Sequence, residues 1–100
     1  LESDATAIMC CNDLMGVGAV NACKRMGKKI PNEMSIVGYD NISLSRFIEP
    51  KLTTMDQNMF ALGSNAAELL IDKIETGKNK RVVLDNVLVE RESTGPCTIE

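Results

Sequence analysis

Thr6-Ala7-Ile8-Met9-Cys10-Cys11-Asn12-Asp13 is the stretch on which the fold of this chain turns. Its first six residues form a short, nearly continuous apolar run, as in a strand buried on both faces of a parallel sheet. Asn12 then offers a helix cap, and Asp13 an acid for the first turn. Gly16, Ala19, Val20, Cys23 and Met26 follow at spacings of three and four, which predicts a helix over 13–26 closed by Gly27. Past Pro31, Met34-Ser35-Ile36-Val37-Gly38-Tyr39 predicts a second strand. Strand, helix and strand within about 35 residues make a βαβ unit, whose crossover is expected to be right-handed.

Outward from this unit, a polar loop, Asp40-Asn41-Ile42-Ser43, leads into a short apolar-spaced stretch over 44–48. Glu49-Pro50 ends it, because a residue before proline is pushed out of the helical region. Leu52-Thr53-Thr54-Met55 predicts a third strand. A second helix is expected over 58–76, with Met59, Leu62, Ala66, Leu69 and Leu70 on one side. Ala67, Ile71 and Ile74 widen that side, and Gly77 closes the helix. Two β-like runs, 81–84 and 87–89, flank Asp85-Asn86 in the tail. No internal repeat or low-complexity tract interrupts the pattern. The fold class expected is α/β, with a parallel βαβ sheet.

One hundred residues allow one small domain at most, and 44% hydrophobic with 25% charged residues is an ordinary globular composition. No apolar run approaches the ~20 residues of a membrane-spanning helix. The opening Leu1-Glu2-Ser3-Asp4 has neither the basic nor the apolar region of a secretion signal. It also starts in mid-pattern without Met, as expected of a piece of a longer protein. A net charge of −3 speaks against direct nucleic-acid contact, which needs a basic footprint. Lys24, Arg25, Lys28 and Lys29 do cluster, but at a helix C-terminus, where the macrodipole favours them. The four cysteines have no C-x-x-C spacing, and the chain has no histidine, so no zinc site is expected. They read as buried cytosolic thiols acting as small hydrophobes.

Ligands of open parallel α/β sheets bind beyond the carboxyl ends of the strands. Asn12 follows the first strand, Asp40 the second and Gln57 the third. A carboxylate that accepts and two amides that both donate and accept suit a polyol such as a sugar. Each also has a plain structural reading: Asn12 as a helix cap, Asp40 as a loop former, Gln57 as a solvated residue before a helix. Catalysis finds little footing, since without histidine neither a Ser-His nor a Cys-His pair can form. Gly16-Val17-Gly18 lies inside the helix instead of at the strand-to-helix turn, so these glycines read as close-packing positions and not as a dinucleotide fingerprint. Asn41-Ile42-Ser43 matches a glycosylation sequon, which carries no weight without a secretion signal.

Ala5-Thr6-Ala7-Ile8, Asn12-Asp13-Leu14-Met15 and Gly18-Ala19 together resemble a pattern of the LacI/GalR family of bacterial transcription regulators. So do Ile30-Pro31 with Ser35-Ile36-Val37-Gly38-Tyr39-Asp40, and Pro50-Lys51-Leu52-Thr53-Thr54-Met55-Asp56-Gln57. Leu62-Gly63, Ala66-Ala67, Leu69-Leu70 and the late Arg91-Glu92-Ser93-Thr94-Gly95 continue the likeness in order over nearly the whole chain. The resemblance implies a periplasmic-binding-protein-like (type I) sensor, two α/β subdomains with a small sugar-like effector between them. Residues 1–57 would be sheet and helix of the C-terminal subdomain, 58–80 a crossover helix and 81–100 terminal strands.

By the same resemblance, Asn12, Asp40 and Gln57 line the effector cleft, and Val17, Phe47 and Ile48 form an apolar homodimer interface. Read without it, those three apolar residues are equally well core. Operator DNA would be reached through an N-terminal helix-turn-helix outside this chain, in a cytoplasmic protein without enzymatic activity, cofactor or metal. Since the first subdomain is absent, the apolar side of helix 58–76 is expected to lack cover, and the chain to self-associate or rearrange that helix. The principal alternative is a periplasmic sugar-binding protein of a transporter, and a remoter one an α/β enzyme fragment. The sequence leaves open whether the effector is a sugar, a sugar phosphate or a nucleobase.

Overall fold

The computed structural model describes residues 4–97; the outer ends of the 1–57 and 81–100 segments, residues 1–3 and 98–100, lie outside the described residues. Strand β1 (Ala7–Met9) leads into helix α1 (Asp13–Arg25), which returns the chain to strand β2 (Ser35–Val37). β1 and β2 pair in parallel, Ile8 opposite Ile36. A 3₁₀ turn, Ser43–Arg46, precedes strand β3 (Thr54–Asp56). β3 joins β2 through a parallel bridge, Val37 to Thr53, and through Gly38 N–H to Thr53 O (2.9 Å) and Asp40 N–H to Met55 O (3.0 Å). Helix α2 (Met59–Thr76) follows, and strand β4 (Val87–Val89) returns antiparallel to β3. The expected βαβ unit and both helices are present.

The core lies between α1 and one face of this sheet. Val20 and Cys23 of the helix pack with Met34, Ile36 and Leu52, and Ile8, Cys10, Ala19, Ile30 and Ile48 close around them. Burying each large aliphatic side chain contributes about 1.5–3 kcal/mol. Gly16 lets the helix approach, since a Cβ there would lie 2.9 Å from Leu52 Cδ2. The close-packing expectation fails at Gly18, where a Cβ would meet nothing within 4 Å.

The opposite sheet face is open. Met9 is 87% exposed, so the expectation of a β1 buried on both faces is corrected: no layer among the described residues covers that side. The reading of four buried thiols also fails in part. Cys23 is buried and Cys10 half-buried, but Cys11 and Cys97 are exposed; no disulfide links the four. Cys23 alone sits on the inner face of a helix, whereas Cys11 and Cys97 lie beyond the packed elements.

α2 starts at a cap residue, Asn58, whose Oδ1 accepts from Ala61 N–H, and stops at Gly77 in the left-handed conformation (φ 72°). None of its residues is buried, and Phe60, Leu70, Ile71 and Ile74 are exposed. The helix does not fold back over the sheet. The radius of gyration is 17.8 Å, against about 13 Å for a compact chain of this length. Residues 81–84 run irregularly beside α2 instead of forming the expected strand, because their neighbour is a helix that offers no free backbone ladder.

Candidate functional site

The carboxyl ends of β1, β2 and β3 place the three polar candidates at one edge of the sheet. Asp13 N–H donates to Tyr39 O (3.0 Å), which brings the 12–13 peptide beside the 39–40 peptide. Asp40 Oδ1 accepts from Gln57 Nε2 at 2.6 Å, so these two residues touch directly across 17 positions of sequence. Asn12 Oδ1 accepts from Met15 N–H (2.9 Å) and caps α1, so its structural reading holds. That use occupies only the oxygen, and Asn12 Nδ2 remains a donor beside the same edge. Asp40 Oδ2 likewise has no hydrogen-bond partner among the described residues.

Next to this cluster lies a concavity of about 400 Å³ lined by Met9, Cys10, Cys11, Val37, Gly38, Tyr39 and Met55. Four of the seven residues carry sulfur, giving a polarizable apolar wall beside the polar edge. The Cys10 thiol is pushed above its ordinary pKa, first by burial and then by Cys11 and Cys23. A depression of similar size lies between α2 and Lys80–Val82, but there Lys80 and Asp72 satisfy each other at 2.6 Å.

Behind the edge, Asp13 is fully buried and joins three elements. Its Oδ1 accepts from Thr54 Oγ1 (2.6 Å), its Oδ2 from Ile42 N–H (2.8 Å). Gly38 makes room for it, since a Cβ at position 38 would come within 2.2 Å of Asp13 Oδ1. Ser93, also buried, closes the gap between β2 and β3. Its hydroxyl donates to Ile36 O and accepts from Thr53 N–H, while its carbonyl accepts from Ile36 N–H.

The sequence assigned Asp13 only to a helix first turn and gave Ser93 and Arg91 no role. An acid directly after a buried strand was the available signal for Asp13. Nothing local marked Ser93 or Arg91, whose partners lie about forty residues or more away.

Of the three apolar interface candidates, Phe47 is 78% exposed. Val17 is half-buried on α1, and Ile48 is half-buried against the core. Leu14, Met15 and Leu44 are also exposed on α1 and the 3₁₀ turn.

Polar groups gathered at the carboxyl ends of parallel strands are the arrangement in which open α/β sheets hold ligands. The profile described as the periplasmic binding protein-like domain matches residues 2–94, and this chain belongs to that family. Over 80 residues the chain is 44% identical to the HTH-type transcriptional repressor PurR of Pasteurella multocida (strain Pm70), covering 80% of this chain and 24% of that protein. A LacI family transcriptional regulator from Enterococcus faecium, solved with bound ribose, superposes with a TM-score of 0.88 at 37% identity, over 97% of this chain and 37% of that one. The complex of the transcriptional regulator CelR with cellobiose superposes at 0.85 and 35% identity, over 90% and 28%. The chain thus spans about a quarter of the length of curated relatives such as PurR.

Proposed function

We propose that this chain is the C-terminal half of an effector cleft in a DNA-binding transcription regulator, and that Asn12, Asp40 and Gln57 grip a small sugar-like effector. The observation that carries this reading is the Asp40–Gln57 pair at 2.6 Å, set with Asn12 at the carboxyl ends of parallel strands. Asp40 accepts hydroxyl hydrogens at its uncommitted Oδ2, Asn12 donates through Nδ2, and Gln57 keeps the carboxylate in place while its own oxygen accepts. Ribose and cellobiose in two similar structures support a polyol ligand.

An effector that bridges both subdomains favours one closure angle, which alters how a dimer presents helix-turn-helix heads to operator DNA. Homodimer contacts fall to Phe47, Val17 and Ile48, and the working compartment is the cytoplasm. The uncovered apolar side of α2 is then the surface that the first subdomain covers, and the 1–57, 58–80 and 81–100 segments divide as sheet, crossover and return.

The test is a thermal-shift screen of the full-length protein against D-ribose, cellobiose, sugar phosphates and purines, repeated with Asp40→Ala. Losing a hydrogen bond to a charged group costs about 1.5–3 kcal/mol, or roughly ten- to a hundredfold in affinity. A compound that stabilises both versions equally would make Asp40 a loop residue and remove it from the cleft.

A further inference from the structure

Asp40 and Asn41 hold consecutive positive φ angles, 115° and 57°. Neither is glycine; asparagine visits the left-handed region readily, but a φ of 115° is rare for an L-residue and persists only where the surroundings hold it. The surroundings here converge on one side chain. Arg91 Nη2 donates to Asn41 Oδ1 (2.7 Å), while Nη1 donates to Ser45 Oγ (2.8 Å) and to Leu52 O (2.9 Å). Asn41 is held from its other side as well, its N–H donating to Thr54 Oγ1 and its Nδ2 to Asp56 Oδ2, both at 3.2 Å.

We propose that Arg91 is the positioning residue for the Asp40–Asn41 turn, and that through this turn it sets the carboxylate of Asp40 for its effector contact; the second clause rests on the sensor reading above. Arg91 acts as a fork, not as a charge partner. No carboxylate among the described residues is ion-paired with it, and its donors go to an amide, a hydroxyl and a carbonyl. A planar guanidinium spans three such acceptors at once, which the single ammonium of lysine does not. The role is also separable from folding. Arg91 N–H is bonded to Thr53 Oγ1 (2.9 Å), and Ser93 fixes the same segment to β2 and β3, so removing the side chain leaves residues 91–93 anchored through other atoms.

The experiment uses the full-length protein with Arg91→Ala, Arg91→Lys and the double variant Arg91→Ala/Asn41→Gly. Amide hydrogen exchange is read at residues 41–45 and, as reference, at Cys10 and Ile36; D-ribose and cellobiose serve as binding probes. Both single variants are expected to speed exchange over 41–45 by roughly tenfold with Cys10 and Ile36 unchanged, and to weaken the bound sugar by roughly tenfold. Glycine at 41 adopts the left-handed conformation at no steric cost, so the double variant recovers most of the affinity.

Unchanged exchange at 41–45, or equal loss at Cys10 and Ile36, overturns the proposal. Selective loosening with unaltered sugar affinity overturns its effector clause. If neither sugar binds the unmodified protein, the polyol reading fails by itself, and the exchange data still decide whether Arg91 holds the turn.

Discussion

Replacing Gly38 by alanine tests the packing behind the strand ends. The new Cβ would lie 2.2 Å from Asp13 Oδ1, 2.9 Å from Leu52 Cδ2 and 3.2 Å from Asp13 Cα. Leu52 can shift the end of its side chain, but the Asp13 backbone is fixed by the first turn of α1 and by its N–H bond to Tyr39 O. The helix must therefore retreat from the sheet or the carboxylate must swing away. Overpacking of a core costs about 1–3 kcal/mol, and giving up the charged hydrogen bond from Thr54 adds about 1.5–3 kcal/mol.

A loss of about 2.5–6 kcal/mol is expected, a large part of the total stability of a typical domain. Gly16→Ala is the matched control. It also meets Leu52 at 2.9 Å, but only at a movable methyl, and alanine gains about 1 kcal/mol over glycine inside a helix. It should stay within about 1 kcal/mol of the parent. Urea unfolding of the full-length protein, fitted with an unchanged slope, reads both values. A Gly38→Ala cost below about 1 kcal/mol, or a Gly16→Ala cost exceeding it, refutes the account of the helix–strand junction.

Asn12→Ser separates capping from binding. Serine caps about as well as asparagine, so stability should change by only a few tenths of a kcal/mol, whereas loss of Nδ2 should weaken the effector in a calorimetric titration; equal affinity would confine Asn12 to the cap. Phe47→Ser should shift the full-length protein from dimer towards monomer in sedimentation while costing less than about 1 kcal/mol of unfolding free energy, because the ring is 78% exposed. An unchanged sedimentation coefficient at micromolar concentration removes Phe47 from the interface. Iodoacetamide should label exposed Cys11 before Cys10, since the Cys10 thiol is half-buried and its raised pKa keeps it protonated to higher pH. The same sign makes the Cys10 contribution to stability complete below the ordinary thiol value and lost as pH rises through the raised one. Faster labelling of Cys10 than of Cys11 at pH 8, read by peptide mass, contradicts the burial described here.

The parts of this fold that were legible in the sequence are those set by local rules. The cap at Asn12, the left-handed stop at Gly77, the apolar run of β1 and the polar residues closing each strand all depend on neighbours within a turn or two. The error over β1 arose because an apolar run reports what a strand is suited to face, and Met9 has no covering layer within this chain. The irregular 81–84 segment misled for a related reason: β-branched residues favour a strand only when a sheet edge is at hand. The candidate site was legible as three residue types at three strand ends. That Gln57 would bond Asp40 directly, or that Asp13 would carry more structural weight than either, depends on contacts across 17 to 41 residues that no spacing encodes.

Ser93 gives the molecule an order of assembly. Its hydroxyl and backbone stand between β2 and β3, 57 residues after Ile36 and 40 after Thr53. During synthesis, β1, α1 and β2 leave the ribosome as a complete local unit, but the Ile36 amide waits for its partner until 57 further residues have been added, and the Thr53 amide until 40 have. At translation rates of about 5–20 residues per second these intervals last seconds, long compared with the microseconds of hairpin or helix formation. A nascent chain halted before position 93 therefore keeps a gap beside the point where β2 and β3 already meet, with two backbone donors left for water or a chaperone to satisfy.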